Sequence, residues 1–83
     1  MSTKKLSNIP VKELRKFLES QGLNLIKSTK GRGGHEKWSR SDLDRPIIIQ
    51  THIDPVPEFI VKQVIRQIGL DRNTFLKEFD KIK

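Results

Sequence analysis

The apolar period of this chain changes twice along its length, and that change limits what it can fold into. Val11, Leu14, Phe17 and Leu18 recur at helical spacing, with Lys12, Arg15, Lys16 and Glu19 on the other side. From Leu23 the pattern alternates as strands do, and Ile47, Ile48 and Ile49 form its clearest β-branched run. Helical spacing then returns in Ile60, Val61, Val64, Ile65 and Ile68. The pattern predicts an α+β fold, with three antiparallel strands holding one face under helices and leaving the other to solvent.

Punctuation residues set the boundaries. Pro10 suits a first helical turn and Gly22 a stop, which predicts a helix over 10–21. "LNLIKSTK" (23–30) reads as a strand, "KGRGG" as a turn, and "HEKWSR" (35–40) as a second strand. A polar connection closes on Pro46, and "PIIIQTH" (46–52) is the third strand. Pro55 and Pro57 open the next helix and Gly69 ends it. Asp71 is a favourable N-cap for a short last helix, with Leu70 and Phe75 placed as a hydrophobic staple and Phe75, Leu76, Phe79 and Ile82 as its packing face.

A chain of 83 residues is expected to make a single domain over 1–83. Its core is thin, since such chains bury only about 60–65% of their unfolded surface. With no cysteine, neither a disulfide scaffold nor a thiolate zinc site is available. The N-terminal stretch has lysines but no apolar run behind them, so it does not read as a secretory signal. Nothing approaches the ~18 apolar residues of a membrane span. The expectation is a soluble, cytoplasmic protein. Its net charge of +7, from 17 Lys and Arg against 10 Asp and Glu, favours a polyanionic partner. No long basic helix carries aromatics on its other face, so a membrane surface is the least favoured of these.

Strand alternation assigns faces. If Trp38 points into the core, Glu36 and Arg40 share its side, and His35, Lys37 and Ser39 point outward. Two registers compete for the third strand. Pairing Trp38 with Ile49 buries Ile47 and Ile49, whereas pairing it with Ile48 would bury Gln50 and His52 alongside Ile48. The first register is preferred. It sets His35 opposite His52 with Cβ atoms roughly 4.5–5.5 Å apart, and Lys37 about 6.6 Å along the strand.

Two imidazoles and an ammonium on a basic open face suit RNA cleavage without a metal. One histidine takes the proton of the ribose 2′-hydroxyl and a second acid protonates the departing 5′-oxygen. A lysine stabilises the charge growing on phosphate. Imidazole fits because its ordinary pKa, about 6.5, leaves both forms accessible near neutrality. The glycines of "GRGG" would let an RNA backbone approach and turn N–H groups toward phosphate. Simpler readings stand beside each of these. A surface histidine is commonly only a solvated side chain, and "GRGG" is commonly only a hairpin turn. Trp38 reads as core rather than as a stacking platform. Two histidines seventeen residues apart, without cysteine or a placed carboxylate, make a poor zinc site. No P-loop, GxSxG or HExxH pattern occurs.

The ordered set "KELRKFLESQGL", "GGHEKWSR", "IIIQTHI" and "VKQVIRQIGLDRNTFLKEF" resembles the HicA family, the small toxins of HicA–HicB toxin–antitoxin systems. The resemblance covers nearly the whole chain. It implies a fold like that of double-stranded-RNA-binding domains and a ribosome-independent mRNA endonuclease. No cofactor and no metal are expected, because the carboxylates Glu36, Asp42, Asp44 and Asp54 show no ligand spacing. The resemblance also implies a HicB-like antitoxin that blocks the active face. Carried over position by position, the family's Gly-Ser-His becomes Gly33, Gly34 and His35, so His35 matches the catalytic histidine and His52 a second, supporting one. Gly34 removes the usual serine hydroxyl, and Gln50 stands where proline is frequent before the second histidine.

The expected site is therefore His35, supported by His52, Lys37, Gly33 and Gly34, with Lys27, Lys30, Arg32, Arg40 and Arg45 as RNA-binding cations. The alternatives are a non-catalytic RNA-binding module and a basic protein-interaction domain.

Overall fold

The computed structural model describes Leu6, residues 8–28 and residues 34–82. Its elements run α1 (Val11–Ser20), β1 (Asn24–Ser28), β2 (His35–Ser39), β3 (Ile47–Gln50), α2 (Glu58–Ile68) and α3 (Arg72–Ile82). The three strands form one antiparallel sheet in the order β1-β2-β3. This is the α+β arrangement that the change of period predicts. Among the described residues no helix is long and apolar enough to cross a membrane.

Each helix forms where its apolar stripe meets a terminating signal. Pro10 is the N-cap of α1, extended at φ −64° and ψ 147° with the φ fixed by its ring, and Gly22 follows the helix at φ 85°. Val11, Leu14, Phe17 and Leu18 are its buried face. Pro57 caps α2, and Gly69 ends it at φ 92°, in the left-handed region that a side chain resists. Asp71 caps α3 by accepting the Thr74 N–H at 2.7 Å. That hydrogen bond is the main reason the Asp71 carboxyl titrates below the usual carboxylate range. At eleven residues α3 equals α2 rather than being short.

The core joins the helical layer to one sheet face. Phe17 meets Phe75 edge-on at 4.7 Å and Phe79 at 6.4 Å, which fastens α1 to α3, and Phe75 stacks on Phe79 within α3 at 5.4 Å. Trp38, Ile47 and Ile49 enter from the sheet and are 2%, 0% and 0% exposed. The segment before α2 is tied back to α1. Val56 pairs with Ile9 through a 2.8 Å backbone hydrogen bond, and Asp54 Oδ1 accepts the Val11 N–H at 3.1 Å. That contact gives the first N–H of α1, otherwise unpaired, an acceptor 43 residues away.

Two strand expectations are corrected. Trp38 pairs with Ile47, not Ile49, and His35 therefore lies opposite Gln50, not His52. The buried set is unchanged, because a shift of two residues keeps every side chain on its own face. β3 also ends at Gln50, although the Thr51 N–H still bonds the Gly34 carbonyl at 2.9 Å, and His52 lies beyond the strand. The register of β1 slips between Leu25 and Lys27, a bulge at an edge strand whose five residues are all exposed.

Candidate nucleic-acid interface

The open sheet face is built by alternation on β2. Glu36 and Trp38 turn inward, while His35 is exposed and Lys37 half-buried on the outer side. Lys37 sits between Lys27 on β1 and Ile48 on β3, and His35 sits beside Gln50. Two ammonium groups directly opposite each other repel, and neither has a carboxylate partner among the described residues. A bound anion would relieve that repulsion. The centre of the face is thus suited to phosphate.

His52 reaches this face from the segment after β3. Its ring centroid lies 6.2 Å from that of His35, with the planes inclined at 54°. The two histidines are not a cross-strand pair, yet the diagonal placement still brings their rings together. His52 Nδ1 lies 3.5 Å from the Gly34 carbonyl oxygen, a contact that turns the ring toward the start of β2. The Gly34 carbonyl already accepts from Thr51, and Gly34 itself is buried. Two hydrogen bonds of about 2.6–3.2 Å to one shared group fit between rings at this separation.

A buried clamp beneath the face holds β2 in place. Glu36 is only 5% exposed, and both of its oxygens are engaged. Arg15 Nε donates to them at 3.1 and 3.0 Å, a second Arg15 nitrogen approaches to 2.8 Å, and Trp38 Nε1 donates at 3.1 Å. A charge inside the core is tolerated only when paired and hydrogen-bonded in this way. The clamp fixes the strand at the residue between His35 and Lys37. Sequence reasoning placed Glu36 on the Trp38 side but missed its partner. An acid in phase with a core tryptophan is the signal that a cation on the facing helix must answer it.

The remaining expected residues divide. Arg40 is not brought to the open face. It donates to the Gln21 carbonyl at the end of α1 at 2.7 Å and to both oxygens of Asp42. Its hydrogen bond to Asp42 is the main cause holding that carboxyl below the usual range. Arg45 lines a separate recess of about 360 Å³ with Asp42, Leu43, Asp44 and Gln67. Lys30, Arg32 and Gly33 lie outside the described residues. Among the described residues no group of three or more His, Asp or Glu side chains converges as metal ligands would. No family model, curated protein or solved structure matches the chain.

Proposed function

We propose that the chain is a metal-independent endoribonuclease of the toxin class, acting on messenger RNA and restrained by a HicB-like antitoxin. The observation that carries this reading is the pair of imidazoles, 6.2 Å apart, beside a face centred on Lys27 and Lys37. His35 takes the proton of a ribose 2′-hydroxyl, and that oxygen attacks the adjacent phosphorus. The bond from phosphorus to the 5′-oxygen breaks, and the protonated His52 supplies the proton that the departing oxygen needs. Lys37 and Lys27 stabilise the charge on the non-bridging oxygens. The products are a 2′,3′-cyclic phosphate and a 5′-hydroxyl. Purified protein incubated with a long RNA in EDTA should yield those ends. Cleavage abolished by the chelator and restored by magnesium would contradict the histidine mechanism.

A second reading, a basic protein-interaction domain, draws on the apolar surface around the same lysines. Ile48 is 47% exposed beside Lys37, and Leu25 and Ile26 on β1 are 47% and 58% exposed. RNA retention at low salt separates the two, since a face built for protein alone would not hold RNA.

A further inference from the structure

Beside the N-terminal approach to α1, the helical layer carries a recess of about 300 Å³ that the RNA reading does not use. Its floor is aliphatic, made by Leu6, Ile65 and Leu70, of which Leu6 and Ile65 are 3% and 6% exposed. Its rim is cationic, made by Lys62, Arg66 and Arg72. Lys62 is shared with Glu58 at 3.3 Å, whereas Arg66 and Arg72 enter no ion pair among the described residues. Arg72 is the first residue of α3, where the helix dipole disfavours a cation. Helix stability therefore does not explain its position. Among the described residues none from a strand lines the recess.

We propose that this recess is a docking site for an acidic peptide segment of a protein partner, one that inserts an aliphatic side chain between flanking carboxylates. Charge complementarity selects the carboxylates, since among the described residues Lys62, Arg66 and Arg72 ring an otherwise apolar floor. Lys62 and Arg66 stand one helical turn apart, about 6 Å along the axis, a spacing that two side chains of one short segment can meet. RNA is disfavoured because the described residues of the floor include no aromatic ring on which a base could stack. A membrane surface is disfavoured because the described apolar floor is small and ringed by cations rather than being a broad apolar face. The volume lies at the bottom of the ~300–1,000 Å³ range of ligand pockets, which suits one anchor rather than an engulfed small molecule. The inference does not depend on RNA cleavage.

The test is panning a phage-displayed library of random dodecapeptides on the full chain. A synthetic copy of the winning peptide is then titrated into isotope-labelled protein. Enriched sequences should place Asp or Glu on both sides of Leu, Ile or Met. Amide shifts should cluster at Ile65, Arg66, Leu70 and Arg72 and spare β2 and β3. Both arginines are exposed, so Arg66→Gln with Arg72→Gln should leave the fold intact. That pair should weaken binding roughly 2- to 25-fold, at about 1.4- to fivefold per exposed charge pair. Arg66→Lys with Arg72→Lys should retain most of it. The proposal is overturned by absence of a consensus, by a consensus indifferent to the Gln pair, or by shifts centred on the sheet. It is equally overturned if polyuridylate RNA or phosphatidylglycerol vesicles shift the same amides as strongly as the peptide.

Discussion

Glu36 and His35 are neighbours in sequence whose side chains part at the plane of the sheet, and substitution should separate them. Alanine at Glu36 would leave Trp38 Nε1 buried without its acceptor and strip Arg15 of its carboxylate. The expected loss is about 1–3 kcal/mol, the cost of abandoning a buried polar partner, moderated because the Arg15 side chain is 43% exposed. Glu36→Gln should fall between, since an amide oxygen still accepts from the indole. His35→Ala should move stability by only about ±0.5 kcal/mol, as exposed substitutions usually do. Urea midpoints on the three variants check this. If His35→Ala is as damaging as Glu36→Ala, the assignment of His35 to the outer face is wrong.

Among the elements, the helices were legible because each apolar stripe is bracketed by its own signals, Pro10 with Gly22, Pro57 with Gly69, and Asp71 with Leu70 and Phe75. The sheet was legible in its faces but not in its register. Sliding β3 by two residues leaves Ile47 and Ile49 buried and Ile48 outside, so the apolar pattern is blind to the difference. What separates the registers is the path of the 51–57 segment, tied by Val56 to Ile9 and by Asp54 to Val11, and contacts 43 and more residues apart leave no local trace. The same tie accounts for His52, which approaches His35 from beyond the strand. The caps give two tests. Asp54→Ala should cost about 1 kcal/mol, and Asp54→Asn less because it keeps an acceptor. At Asp71 the folded pKa is depressed, so the carboxylate's contribution is fully present above the unfolded value of about 3.9. It is lost as pH falls through the lower folded value. The melting-temperature difference between wild type and Asp71→Asn, whose cap does not titrate, should stay flat above about pH 5 and change below about pH 4. A difference independent of pH throughout would show that the Asp71 carboxylate does not hold Thr74.

At the scale of the whole molecule, helices cover one face of a three-stranded sheet, and the other face carries paired lysines beside two imidazoles. On the proposed RNA-binding reading, a net charge of +7 should make the affinity strongly dependent on salt. If about four cations meet a single strand, log K should fall against log salt with a slope near −2.8. Lys27 and Lys37 of the open face are two of the candidates. Arg40, committed to Gln21 and Asp42, should contribute little, so Arg40→Gln should leave the slope unchanged while Lys37→Gln makes it shallower. A slope near zero for wild type would favour protein docking on this face. The central claim is that His35 performs chemistry there, and it is tested by the rate of RNA cleavage in EDTA by wild type and by folded His35→Ala, with end groups identified on the products. Wild type should leave 2′,3′-cyclic ends, and the variant should cleave about 10²–10⁴-fold more slowly. Cleavage by His35→Ala as fast as by wild type would contradict it.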